Sequence, residues 1–274
     1  MITMKTYKYI ALWTLAMGIA ACSQDDDFAS QQQEDIVRIA SSDIATEMQS
    51  RVNTLDDGTR WENGDQILLV NNSRETKNSG SYTATVGGET ATWAIASGNV
   101  VLYAPSGTND FSAYYPAVAE ADYTLPTDQS TADGIKSADR MVATTTGVAK
   151  GAAVALSFVR RNAMVTIAPN FNTEFDADAV VSSMQIAGIT PYHPESSVEY
   201  KAIIAPSADG FMVTLTVDGQ SLTATSSTKI EAGKHYYFNL NVGKDAVAIQ
   251  SVSVKQWDSG GSIEDSGIAN EDIL

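Results

Sequence analysis

From Trp61 onward the chain alternates apolar and polar positions in short runs separated by turn residues. Gly64-Asp65 leads into Ile67-Leu68-Leu69-Val70, and Tyr82 to Val86 and Ala91 to Ile95 flank Gly87-Gly88. Phe211, Val213, Leu215 and Val217 alternate with Met212, Thr214 and Thr216; Asp218-Gly219 then turns the chain into Ser221 to Thr225. Tyr236, Phe238, Leu240 and Val242 alternate in the same way with Tyr237, Asn239 and Asn241. Period two sends successive side chains to opposite faces, so these runs predict antiparallel sheets with one face buried and one wet. Glycine at the turns supplies the positive φ that tight hairpins require. No window carries a 3.6-residue apolar stripe over three turns, and the best helical candidate, Ala177 to Gln185, is short. The pattern predicts an all-β chain of two tandem antiparallel β-sandwiches. Val154 to Phe158 reads as the last strand of the first, and Ala163 to Ile167 as the opening strand of the second. The expected domains are residues 52–158 and 159–274, the latter including an acidic tail.

The chain before Trp61 is organised differently. Ile36-Val37-Arg38-Ile39-Ala40 is a lone β-prone run followed by polar residues, and a lone strand must pair with something downstream. Residues 23–35 are rich in Gln, Asp and Ser and read as a tether. Lys5 and Lys8 precede an apolar run from Ile10 to Ala21, which has the order of a signal peptide over residues 1–21 and is too short to span a bilayer. The run ends Ile19-Ala20-Ala21-Cys22, an aliphatic residue and two small ones before the single cysteine. That arrangement looks like a bacterial lipobox, which makes Cys22 the acylated first residue of the mature chain. The lipid would then be the attachment to the outer membrane, stable only with more than one acyl chain.

Charge narrows the partners. The chain of 274 residues carries 17 Lys and Arg against 33 Asp and Glu, a formal charge of −16. Loss of the signal peptide removes two lysines and no acids, giving 15 − 33 = −18. Such a surface repels nucleic acid, and no nucleic-acid partner is expected. With Cys22 committed to lipid there is no disulfide, so apolar cores must hold the fold.

Catalytic chemistry is not written into the chain. It has two histidines, no His-Glu-x-x-His, no Gly-x-Ser-x-Gly elbow and no phosphate loop. His235 is expected on the wet face of its strand and His193 in a loop between Pro191 and Pro194. Asp176 and Asp178 lack the further acids and the glycine of a calcium loop, so no metal and no cofactor is expected. Trp61, Trp93 and Trp257 are what a sugar platform would use, but large aromatics are the main apolar contributors available to a sandwich core. They are expected there.

Several segments taken together resemble the fimbrillin family, the lipoprotein-derived subunits of type V pili. The carrying residues are Trp61-Glu62-Asn63-Gly64-Asp65-Gln66-Ile67, Phe111-Ser112-Ala113-Tyr114-Tyr115-Pro116, and Ala138-Asp139-Arg140-Met141-Val142-Ala143. Val154 to Phe158 with Arg160 and Ala163, Ala232 to Leu240, and Val254 to Trp257 continue the match in order. The resemblance implies transthyretin-like sandwiches and a non-enzymatic structural role. It also implies an assembly route in which an arginine-specific protease removes the first strand and a strand of another pilin subunit fills the groove left behind. Asp25-Asp26-Asp27 resembles the acidic export tag of surface lipoproteins.

Carried onto this chain, the resemblance makes residues 22–51 the lipidated tether and removable strand. Ile36, Val37, Ile39 and Ile44 lie in that strand, and Arg51 is the cut site, before Val52. Arg38 lies within the strand and Arg60 adjoins Trp61, which leaves Arg51 as the best placed. The tail departs from the family's pattern, because Ile263, Ile268 and Ile273 are spaced five apart and make a poor plug. Val247 to Val254 is an alternative donor. The filament would serve adhesion to a host or bacterial surface ligand. The competing reading, from another class, is a monomeric surface lipoprotein that binds glycans.

Overall fold

The computed structural model describes residues 35–44, 52–53, 58–59, 61–76, 78–87, 90–96, 99–175 and 179–257. The signal peptide, Cys22, the tether up to residue 34, Arg51, Arg60, Asp176, Asp178 and the tail from residue 258 lie outside them.

The first half is built on one seven-stranded sheet. Its strands in chain order are β1 (Ile39–Ile44), β4 (Gln66–Asn71), β5 (Asn78–Gly87), β6 (Thr90–Ile95), β7 (Thr108–Tyr115), β8 (Met141–Ala149) and β9 (Val154–Arg160). A two-stranded ribbon, β2 (Val52–Asn53) with β3 (Gly58–Thr59), lies between β1 and β4 in sequence. The spatial order is β1-β9-β8-β7-β4-β5-β6, and only β1 joins in parallel, to β9. The alternation explains the packing: Ile67 and Leu69 of β4, Phe111, Ala113 and Tyr115 of β7, and Val154, Leu156 and Phe158 of β9 are buried in one cluster with Trp61 and Tyr82. Gly80 in β5 is required by a close approach, since a Cβ there would stand 2.0 Å from the Asn99 carbonyl oxygen.

The second half is a sandwich of two sheets. One has the order β12-β10-β15-β16, with β10 (Ala163–Phe171), β12 (Tyr200–Ile204), β15 (Lys234–Val242) and β16 (Val247–Gln256). The other has the order β11-β13-β14, with β11 (Val181–Ile186), β13 (Phe211–Val217) and β14 (Gln220–Ser226). Val165, Ile167, Phe211, Val213, Leu215, Tyr236, Phe238 and Leu240 fill the space between them. Asp218 (φ 51°) and Gly219 (φ 80°) form the two-residue turn between Val217 and Gln220, the mirror-image geometry that matches strand twist.

Two local expectations are overturned. The helical candidate Ala177 to Gln185 is a strand over Val181–Ile186, with Met184 and Ile186 buried; the two-residue spacing of those residues prevails over the weak helical propensity of the stretch. Among the described residues an α-helix lies elsewhere, at α1 (Ala132–Ala138), where the Thr131 side chain accepts from the Gly134 N–H and caps the first turn. Seven residues are too few for a periodic stripe to show. His235 is fully buried, not wet. The face opposite the main core is not bare, because Met164 and Ile203 are covered there by Ile135, Ala138 and Trp257. His235 is held on that side by Thr166 Oγ1, 2.7 Å from Nε2, and by the Tyr237 hydroxyl, 2.9 Å from Nδ1.

Candidate functional site

The segment Asp35–Ile44 occupies a seat in the first half and enters it in two legs. In the first, the Tyr103 N–H donates to the Asp35 carbonyl at 2.9 Å and the Val37 N–H to the Val101 carbonyl at 2.8 Å, with Ile36 bridged to Leu102. In the second, the Val154 N–H donates to the Arg38 carbonyl at 2.8 Å, and β1 then runs beside β9. Ile39 pairs with Val154, Ser42 with Leu156 and Ile44 with Phe158, with a slip in register between Ile39 and Ser41. The regular strand therefore begins later than the apolar run Ile36 to Ala40 suggests, because Ile36 and Val37 are spent on the Val101–Tyr103 stretch.

Side chains lock the segment. Val37 is 1% exposed, and its carbonyl accepts the Tyr82 hydroxyl at 2.8 Å. Burial, and secondarily the neighbouring Tyr103, push the Tyr82 phenol above its ordinary pKa, so it remains a donor at neutral pH. Two indoles converge on Ser42. Trp61 Nε1 donates to its carbonyl at 3.1 Å and Trp93 Nε1 to its hydroxyl at 2.7 Å. Trp61 meets Trp93, Phe158 and Tyr115 edge to face at 5.0, 5.3 and 5.5 Å. Because β1 and β6 are the two ends of the seven-stranded sheet, the Trp93–Ser42 bond ties one edge to the other. At the mouth, Lys150 pairs with Asp35.

The seat is thus a ladder, apolar pockets and two indole donors, with no covalent tie beyond the chain that continues from Ile44. Without the segment, the carbonyl of Val101, the N–H groups of Tyr103 and Val154, and the indoles of Trp61 and Trp93 would lose their partners above an opened core. An opened edge of that kind is a template for another strand.

The expected residues Ile36, Val37, Ile39 and Ile44 all fall in this segment. Arg38, also in it, has an exposed side chain and an engaged carbonyl. Val52 opens the ribbon and pairs with Thr59. Sequence reasoning missed Ser42, Tyr82 and Trp93 as parts of one seat, since their contacts span 45 to 51 residues and leave no local signal. Trp61, Trp93 and Trp257 are used by the fold, being buried or half-buried with their rings engaged.

The sequence motifs acquire physical roles. In Trp61-Glu62-Asn63-Gly64-Asp65, Gly64 has φ 90° and the Asp65 carboxylate accepts the Glu62 N–H at 2.8 Å, closing the turn that delivers Trp61 to the core. Asp65 also pairs with Lys136 of α1 at 2.8 Å. In Ala138-Asp139-Arg140, Asp139 binds Arg160 through both carboxylate oxygens, at 2.9 to 3.2 Å. Arg140 lies between the rings of Tyr114 and Tyr123, with its Nη atoms on the Pro116 and Val118 carbonyls and on Glu120. The Tyr123 phenol is pushed up to about 12, first by burial. Among the described residues no group of three or more His, Cys, Asp or Glu could hold a metal ion.

The described residues thus form an all-β protein of packed sheets whose first strand lies at a sheet edge. The family model described as fimbrillin-like matches residues 50–192 and 173–257, and the chain belongs to that family. Membership places it among fimbrial adhesion proteins of the cell surface. Among solved structures it is similar to a candidate cell adhesion protein of Bacteroides uniformis, at 22% identity and a TM-score of 0.56, over 72% of this chain and 93% of that one. It is also similar to one of Bacteroides ovatus, at 16% identity and a TM-score of 0.57, over 82% and 99% of the two chains. At these identities the likeness is one of fold. No curated protein sequence is similar to it.

Proposed function

We propose that this chain is a structural subunit of a type V fimbria that is delivered as a surface lipoprotein and polymerises by exchange of its first strand. Acylation at Cys22 holds it on the outer membrane, and an arginine-specific protease cuts after Arg51. The piece ending at Arg51 then leaves, taking Ile36, Val37, Ile39 and Ile44 with it, and a strand of another subunit enters the seat. Residues 52–158 and 159–274 are the two domains of the processed subunit, and the filament serves adhesion.

The observation that carries this reading is the seat of Asp35–Ile44: an edge strand joined in parallel, buried at Val37 and bonded by two indoles at Ser42. Such a strand belongs to the core, yet a single cut in residues 45–51 would make it a separate peptide. Treating the folded lipoprotein with an arginine-specific protease and sequencing the new N-terminus tests the route. Val52 is the expected start, with ladders of polymer appearing by electron microscopy; a stable monomer that retains residues 35–44 would sink it. A glycan platform has less support, since the tryptophans it needs are the ones that build the core and the seat.

A further inference from the structure

We infer that Asn71, Asn78 and Asn109 form a strand-like clamp that holds residues 100–104 extended whether or not the first strand is in place. The first leg of the seat is then a preformed acceptor, and the three asparagines are its positioning residues. For its use in assembly the inference rests on the strand-exchange reading above, but its test needs only this chain's own segment.

Residues 100–104 belong to no named strand, yet their backbone is bonded on both sides. In an extended chain the polar groups of successive residues point to opposite sides. Toward the segment, the Val101 carbonyl accepts the Val37 N–H and the Tyr103 N–H donates to the Asp35 carbonyl. Away from it, Asn78 Nδ2 donates to the Val100 carbonyl at 3.0 Å and Asn78 Oδ1 accepts the Leu102 N–H. Asn71 Nδ2 donates to the Leu102 carbonyl at 2.8 Å, and Asn109 Oδ1 accepts the Ala104 N–H at 2.6 Å. Four successive backbone groups on that side are thus met by three side-chain amides, in the alternating order that a neighbouring strand would supply. Asn71 and Asn109 are fully buried and bonded to each other at 2.8 Å. The Tyr103 carbonyl, which the segment does not use, takes Arg74 Nη1 at 2.7 Å. None of the bonds on the far side involves residues 35–44.

The second leg is built differently. Among the described residues the β8 ladder reaches β9 only at residues 158–160. Across residues 154–157 the backbone partner is β1, with the Thr145 hydroxyl on the Ala155 carbonyl. Taking the segment away removes that ladder, whereas the bonds to Asn71, Asn78 and Asn109 stay. The first leg is therefore ordered in advance and the second is ordered by the strand it receives. A strand entering at Val101 and Tyr103 meets groups already in line, so little conformational freedom is lost at the first contact. Seating then proceeds from there along β9, and the clamp acts on the rate of entry, which falls when binding must first order the receiver.

Amide hydrogen exchange of the uncut, full-length chain, read residue by residue by NMR, separates the two legs. The N–H groups of Val37, Tyr103 and Val154 should exchange together as the segment opens, and those of Leu102 and Ala104 at least tenfold more slowly. In Asn78→Ala the Leu102 N–H should fall to the rate of Tyr103, whereas Asn78→Asp, which keeps the acceptor, should hold it slow. One rate and one urea dependence for Leu102, Ala104 and Tyr103 in the parent chain would overturn the inference. A second measurement distinguishes positioning from simple stabilisation. In a chain cut at a protease site inserted in residues 45–51, labelled peptide 35–44 should enter the seat several-fold more slowly with Asn78→Ala, and its release should change less than twofold. Equal entry into the two chains, or entry into neither, would also overturn it. A chain that shows the expected exchange and entry but forms no polymer would speak against strand exchange alone and leave the clamp standing.

Discussion

Arg160 lies over the ring of Trp257 at 4.2 Å and donates from Nη1 to the Trp257 carbonyl at 2.7 Å, joining the last strand of the first half to the end of the second. Its other nitrogens bind Asp139, and all three residues are buried. Arg160→Met leaves the Asp139 carboxylate as a buried charge without its guanidinium, and the expected loss is about 3–5 kcal/mol. Asp139→Leu together with Arg160→Met should recover most of it, because both charges then go. Urea unfolding of the two variants measures the difference.

Trp93→Phe keeps an aromatic ring in place but removes the indole donor to Ser42. The seat should weaken by about 1 kcal/mol. The cut N-terminal fragment should therefore leave roughly five times faster, read by fluorescence of the labelled fragment. Trp61→Ala removes the ring that meets Trp93, Phe158 and Tyr115, and should destabilise the first half by about 3–5 kcal/mol.

Alkaline pH should loosen the seat. The Tyr82 phenol is raised above 10.0 by burial, which means that its neutral form is favoured while the segment is seated. For such a group the stabilisation is complete below the unfolded pKa and declines as pH rises through the window between the unfolded value and the higher folded one. Release of the cut fragment should accelerate above pH 10. Tyr82→Phe should release it faster at neutral pH, for want of the bond to the Val37 carbonyl, and should show a flatter alkaline response.

Arg51→Gln should block processing at this position. The chain should then stay monomeric and lipidated, with β1 in place, and mass spectrometry of protease-treated cells or protein reads the outcome directly.

The strands were readable because their inward residues repeat every two positions: β4, β9, β13 and β15 each bury alternate side chains where the pattern places them. The Asp218-Gly219 turn was equally plain, since that pair favours positive φ at both positions. His235 was misread because period two assigns a face but does not say what covers it; α1 and Trp257 come from distant parts of the chain to bury that face. The seat was half visible. Ile36, Val37, Ile39 and Ile44 announce a strand, whereas the partners Tyr82, Trp61 and Trp93 announce only apolar bulk until folding brings them to Ser42. The parallel register to β9 and its slip have no sequence signature at all.

The chain enters and leaves the second half at one place. The Gly233 N–H donates to the Asn162 carbonyl, the Trp257 N–H to the Gly233 carbonyl, and Arg160 to the Trp257 carbonyl. Tension applied between the first half and Trp257 would meet these bonds at the end of β16, before the β15–β16 ladder. The Arg160 clamp would share that load with α1, because Ile135 and Ala138 pack on Met164, Ile203 and Trp257 and Gln129 bonds to Ile203.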